Sequence, residues 1–139
     1  MMVAERKTTV MMLDDEKFLL GIYKLAFEKS GYDVFLYYSA YDAQEALRAG
    51  FDPDIILFDI TMPESPSGYE FLERIQKEKL SKRSMKVALT NEGQDAERLR
   101  TSELGADGHL MKSDFTPAEL VKKVTEMFAA KRKSHKRWI

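Results

Sequence analysis

The chain has 139 residues, 44% of them hydrophobic and 32% charged, and a net charge of −1. That is the length of one domain, with apolar material for a core and no overall field arguing for nucleic acid or membrane. Cysteine is absent, which excludes a disulfide framework and cysteine-based metal binding or catalysis.

Taken in chain order, TTVMML (8–13) predicts a first strand, followed at once by Asp14, Asp15 and Glu16. Over 16–30 the spacing of Phe18, Ile22, Leu25 and Ala26 predicts a helix with that side buried. Its apolar run is short and interrupted by Lys24, so it does not span a membrane. YDVFLYY (32–38) predicts a second strand, and an Ala-rich helix over 41–50 ends at Gly50. DIILF (54–58) reads as a fully buried strand that exits on Asp59, with a turn at Met62 and Pro63. SGYE then offers Ser67 as N-cap and Glu70 three residues later for a third helix. MKVAL (85–89) leads to Thr90, and the stretch 94–104 has mainly Ala96, Leu99 and Leu104 to bury. GHLM (108–111) precedes Lys112, and TPAE opens the last helix with Thr116 as cap, Pro117 in the first turn and Glu119 beyond it. In that helix, over 116–130, Leu120, Val121, Val124, Met127 and Phe128 share the buried side.

Five strands alternating with five helices predict an α/β fold, a doubly wound parallel sheet covered on both faces. The domain is expected over residues 7–130. Residues 131–137 (KRKSHKR) hold five Lys or Arg and no acid, which leaves −6 for the rest. They are expected to form, with Trp138 and Ile139, a short solvated basic tail carrying no output domain. The N-terminus lacks the apolar centre of a signal peptide, so a cytoplasmic protein is the expectation.

In open α/β sheets the functional site lies beyond the carboxyl ends of the strands, near the point where strand order reverses. Those ends carry Asp14, Asp15, Asp59, Thr90 and Lys112. Neighbouring first and third strands would bring three carboxylates together, and two such charges about 4 Å apart repel by roughly 4 kcal/mol at an effective dielectric near 20. The cluster needs counter-charge, available from Lys112 and from a hard divalent cation. All-oxygen donors suit Mg²⁺, and no His or Cys cluster is on hand to prefer zinc.

On these residues the chain resembles the receiver domain of two-component response regulators, of the single-domain chemotaxis type. The acidic pair Asp14–Asp15, Asp59 followed by ITMP, Thr90 and Lys112 stand in order at family spacing, and the resemblance covers residues 7 to about 130. It implies the flavodoxin-like receiver fold and a stand-alone phosphoacceptor module rather than a turnover enzyme. Asp59 would take a phosphoryl group from a histidine kinase, a histidine phosphotransfer protein or a small donor such as acetyl phosphate. Mg²⁺ would be held by Asp15, Asp59, the backbone carbonyl of Thr61 and, through water, Asp14. Thr90 and Lys112 would meet the phosphoryl oxygens, and His109 falls where the family places its aromatic switch residue. Thr61 and Glu92 occupy the positions that help set phosphoryl lifetime. Output would pass to a downstream protein through the face of the fourth helix, fifth strand and fifth helix, from a monomer or a phosphorylation-dependent dimer. Direct DNA binding is not expected.

Three departures from the family pattern stand out. ESPSG makes the loop after Pro63 one residue longer, Ser113 takes the place of the proline after Lys112, and Asn91 follows Thr90 where a small residue is usual. None removes a required group. An unphosphorylated interaction scaffold is the alternative reading, and a damaged acid pair or a missing lysine, neither of which is seen, would favour it. A phosphatase of the haloacid dehalogenase type wants a second acid two residues after the nucleophile, where this chain has Thr61. A flavin binder wants a Ser/Thr/Gly-rich phosphate loop, where this chain has DDE.

Overall fold

The computed structural model describes residues 6–62, 66–91 and 95–137, with side chains described as far as 134. The elements run β1 (Thr9–Leu13), α1 (Lys17–Lys29), β2 (Asp33–Tyr37), α2 (Ala40–Arg48), β3 (Ile55–Asp59), α3 (Gly68–Lys77), β4 (Met85–Thr90), α4 (Asp95–Glu103), β5 (Gly108–Met111) and α5 (Pro117–Arg137), with a 3₁₀ turn at Lys112–Asp114. The strands form one parallel sheet in the order β2-β1-β3-β4-β5. The fold is therefore the doubly wound one the alternation predicts.

β3 and β4 are buried along their whole length, as strands covered on both sides must be. Alternate residues feed two cores. Val10, Met12, Ile55, Leu57 and Val87 pack under α1 and α5, while Met11, Leu13, Ile56, Phe58 and Ala88 pack under α2 and α3. The predicted caps form. Ser67 Oγ accepts from the Glu70 amide at 3.3 Å, and Thr116 and Glu119 exchange side-chain-to-backbone bonds of 2.9 and 3.1 Å. Asp54, just before β3, is buried and accepts from the Thr9 amide, the Thr9 hydroxyl, Arg6 and Arg83. Burial alone would raise its pKa, but those donors outweigh it and hold the carboxyl below its usual range.

Three local expectations need correction. Of the α1 residues expected on the buried side only Ala26 packs against the core: Phe18 is 85% exposed, Leu25 62% and Ile22 36%, while Leu20, Tyr23 and Phe27 are buried. Both sets have helical spacing, and the one with Tyr23 and Phe27 covers more of the sheet, Phe27 also packing edge-on against Tyr32 at 5.3 Å. In α4, Leu99 is 61% exposed and Thr101 is the buried residue, its hydroxyl returning bonds to the carbonyls of Glu97 and Arg98. Finally, α5 does not stop near residue 130 but continues to Arg137. No Gly or Pro ends it there, Lys131 pairs with Asp107 at 2.8 Å, and the Arg132 guanidinium lies 5.6 Å from the Phe128 ring centre.

Candidate functional site

Strand order reverses between β1 and β3, and the register sets Leu13 beside Phe58, Asp59 beside Leu89 and Thr90 beside Met111. The next residues off these strands therefore converge. One carboxylate oxygen from each of Asp14, Asp15 and Asp59 lies within 4.8 Å of the other two. Asp14 and Asp59 are buried, whereas Asp15 is exposed at the rim.

Lys112 reaches this cluster from the end of β5, itself buried. Its Nζ donates to Asp14 Oδ2 at 2.6 Å and stands 3.6 Å from Asp59 Oδ2. The ammonium thus serves both buried acids but sits closer to Asp14. Asp14 Oδ1 also accepts from the Glu16 amide at 2.9 Å, so the same residue orders the turn into α1. Asp59 Oδ1 accepts from the Thr61 amide at 3.0 Å and the Thr61 hydroxyl at 3.2 Å. Those two bonds fix the carboxylate's orientation and leave Oδ2 as the oxygen on the lysine side.

Three carboxylates against one ammonium leave an excess of negative charge. Burial, then the charge of Asp14, pushes the Asp59 carboxyl above its ordinary range, against the opposing pull of Lys112 and the Thr61 donors. Asp15 is raised likewise by burial and by Asp14. Burial would lower the pKa of Lys112, but the bond to Asp14 and the charge of Asp59 win and raise it. The site consequently has all-oxygen donors, surplus negative charge and a pocket facing solvent through Asp15, which fits a hard divalent cation.

A raised carboxylate pKa means that the charged form is disfavoured on folding. That cost is absent below pH about 4, grows as pH rises through the shifted value and stays constant above it. Asp59→Asn is therefore expected to be more stable than the parent by on the order of 1 kcal/mol at neutral pH without divalent cations. Denaturant melts in EDTA at pH 7 and near pH 4 check this, the gain disappearing at the lower pH.

Thr90 is fully buried, and its hydroxyl donates to Glu97 Oε2 of α4 at 3.3 Å. His109 is partly buried, and neither ring nitrogen has a hydrogen-bond partner among the described residues. Burial first, then nearby Arg98, lowers its pKa and so favours the neutral ring. Glu92 lies outside the described residues, as do Pro63 and the first two residues of the longer loop, Glu64 and Ser65.

Two contributors were not singled out for their contacts in the sequence. Gly68 opens α3 against the backbone of Asp59 and Ile60, where an added methyl group would overlap the Asp59 carbonyl oxygen and lie 2.6 Å from Ile60 Cα. The family's usual glycine at the start of the third helix was the available signal. Glu97 had none, because its bond to Thr90 depends on how α4 lies against the end of β4.

A doubly wound sheet with an acid cluster, a hydroxyl and a lysine at its switch point defines a class of phosphoacceptor-type α/β domains. The chain belongs to the response regulator receiver domain family, whose model matches residues 10–125. Response regulator SaeR of Staphylococcus epidermidis is 32% identical over 128 residues, covering 92% of this chain and 53% of that protein. The phosphate regulon transcriptional regulatory protein PhoB of Pseudomonas aeruginosa is 31% identical over 115 residues, covering 81% of this chain and 48% of its own length. The chain thus spans about half the length of the curated relatives it matches. The crystal structure of a CheY-like receiver domain protein from Methanospirillum hungatei superposes with a TM-score of 0.81 at 25% identity, over 93% of this chain and 99% of the other. Phosphorylation-based signalling and an acidic Mg²⁺ pocket are general to this family. Among the described residues no helix is long and apolar enough to cross a membrane.

Proposed function

We propose that Asp59 is the phosphoacceptor of this chain and that its phosphorylation changes the face formed by α4, β5 and α5. The observation that carries this reading is the convergence of Asp14, Asp15, Asp59 and Lys112 at the switch point, within reach of one another. In the reaction, Asp59 Oδ2 attacks phosphorus, an O–P bond forms, and the bond from phosphorus to the donor's imidazole nitrogen or acetate oxygen breaks. Thr61 holds the other carboxylate oxygen, so the nucleophile is aimed before the donor arrives. Lys112 stands where charge on the transferring group develops and moves its ammonium partnership from the carboxylates to a phosphoryl oxygen. Asp15, Asp59, the carbonyl of Thr61 and, through water, Asp14 would hold Mg²⁺, which would supply positive charge to the phosphoryl and carboxylate oxygens. The product adds about −1.5 to −2 charges, which Thr90 meets with its hydroxyl, and His109 is the ring that turns behind it. Asp59 is modified and reset rather than releasing a product each cycle, so the chain acts as a switch and not as a turnover enzyme. Thr61 and the position of Glu92 bear on the lifetime of the modified state.

The phosphodonor is proposed to be a histidine kinase or a histidine phosphotransfer protein. The outward stripe of Phe18, Ile22 and Leu25 begins beside the acid cluster and supports docking of a helical donor there. Phe18→Ala is expected to slow transfer from a phosphohistidine protein by about tenfold while leaving transfer from acetyl phosphate unchanged. Output to a downstream protein runs through the changed face. Residues 7–130 are the signalling unit of this reading, and the basic residues 131–137 continue its last helix.

The reading is tested by intact mass after incubation with acetyl phosphate. A single phosphoryl adduct is expected with Mg²⁺ and lost in EDTA and in Asp59→Asn. No adduct with Mg²⁺, under any of several donors, would support an interaction scaffold instead.

A further inference from the structure

The Thr90 hydroxyl, proposed above to meet the phosphoryl group, already has a carboxylate partner. It donates to Glu97 Oε2 at 3.3 Å, from a side chain with no exposure to solvent. Glu97 lies in the first turn of α4, a helix that buries little apolar surface. What positions this helix is polar: Thr101 is buried with its hydroxyl on the Glu97 and Arg98 carbonyls, and the Arg100 guanidinium sits 4.0 Å from the centre of the Tyr69 ring on α3. The bond to Thr90 is thus a direct link between α4 and the floor of the acid pocket.

We infer that Glu97 is a positioning residue for the switch: it holds the Thr90 hydroxyl toward α4 in the unphosphorylated protein and must release it when the phosphoryl group arrives. A hydroxyl has one proton to donate, so a bond to a phosphoryl oxygen forms at the expense of the bond to Glu97. The incoming charge then repels the freed carboxylate, which carries the first turn of α4 with it. Phosphorylation and movement of α4 become one equilibrium, and Glu97 sets its threshold. The inference rests on the phosphoacceptor reading of Asp59.

The test is a titration of the full chain with beryllium fluoride, a phosphoryl stand-in, in Mg²⁺, for wild type, E97A, E97Q and E97D, with thermal melts to establish folding. One charge-assisted hydrogen bond removed from the resting state corresponds to about tenfold tighter binding in E97A. E97Q keeps a neutral acceptor and is expected to stay within about threefold of wild type. E97D keeps the charge at the helix N-terminus but withdraws the acceptor, so it should follow E97A and serves in its place if E97A is poorly folded. The amide resonance of Thr90 should shift in resting E97A toward its beryllium fluoride position, which loss of helix stability alone would not produce. Unchanged or weaker binding in both E97A and E97D overturns the inference, as does E97Q binding as tightly as E97A. A wild-type protein that takes up no beryllium fluoride overturns the phosphoacceptor reading, and the role of Glu97 with it.

Discussion

Lys112→Met is expected to destabilise the fold by about 3–5 kcal/mol at pH 7 without divalent cations. The lysine lies 2.6 Å from Asp14 and 3.6 Å from Asp59, and all three side chains are buried. Methionine replaces the aliphatic stem with similar volume, so the loss isolates the charge rather than the packing. Two buried carboxylates are left facing each other with no cation between them. The sign with pH follows from Asp59, whose carboxyl is already held above its ordinary range by burial and the charge of Asp14: the deficit is largest where Asp59 is charged and shrinks as pH falls and it takes up a proton. Mg²⁺ should restore part of the lost stability, since it supplies positive charge to the same oxygens. Combining the change with Asp14→Asn should cost much less than the two separate losses added together. Denaturant melts across pH, with and without Mg²⁺, measure all of this. A Lys112→Met protein as stable as the parent at pH 7 would mean that the acid cluster is neutralised by something other than this lysine.

Gly68→Ala is the second large effect, and it comes from a single methyl group. The added carbon would overlap the Asp59 carbonyl oxygen and crowd Ile60 Cα, and both obstacles are backbone rather than a side chain able to swing aside. Either α3 backs away from the sheet or the end of β3 shifts. The Gly68 amide also donates to the Ile60 carbonyl at 3.3 Å, so separation breaks that bond as well. Overpacking of this kind costs about 1–3 kcal/mol, and a misplacement near 1 Å at a reacting group costs about 100-fold in rate. Slow adduct formation from acetyl phosphate is therefore expected together with a lower melting temperature. Gly21→Ala is the control: nothing lies within 4 Å of its added carbon, and it sits inside α1. That change should raise stability by about 0.5–1 kcal/mol and leave phosphorylation alone. Unaltered phosphorylation in Gly68→Ala would show that the contact between α3 and Asp59 does not set the geometry of the acid.

The strands and the acid pocket were legible in the sequence for the same reason. A parallel strand buried on both faces is an unbroken apolar run, so Asp59 after Ile55–Phe58 and Thr90 after Val87–Leu89 stand out as chemistry placed at a strand end. The register then brings the ends together without further signal from the sequence. The orientation of α1 was not legible, because Phe18, Ile22 and Leu25 compete with Leu20, Tyr23 and Phe27 at equal helical spacing. Only the fit of aromatic rings against β1 and β2 decides between them. The burial of α4 is hidden for the opposite reason: with so few apolar residues, polar bonds at Thr101 and Glu97 hold it. Helix α5 ran past the expected boundary because Ala, Lys and Arg favour helix, and charge alone is not a stop signal. Glu97 illustrates the limit of linear reading, since its bond to Thr90 depends on how α4 packs beside β4.

Which side chain carries the phosphoryl group decides whether Asp59 is the phosphoacceptor. The chain would be treated with acetyl phosphate and Mg²⁺, reduced with borohydride to convert an acyl phosphate into an alcohol, and sequenced by tandem mass spectrometry. Homoserine at position 59, and nowhere else, is the predicted result. Homoserine at Asp14 or Asp15 with Asp59 unchanged, or no reduced residue despite a phosphoryl adduct on the intact chain, would contradict it.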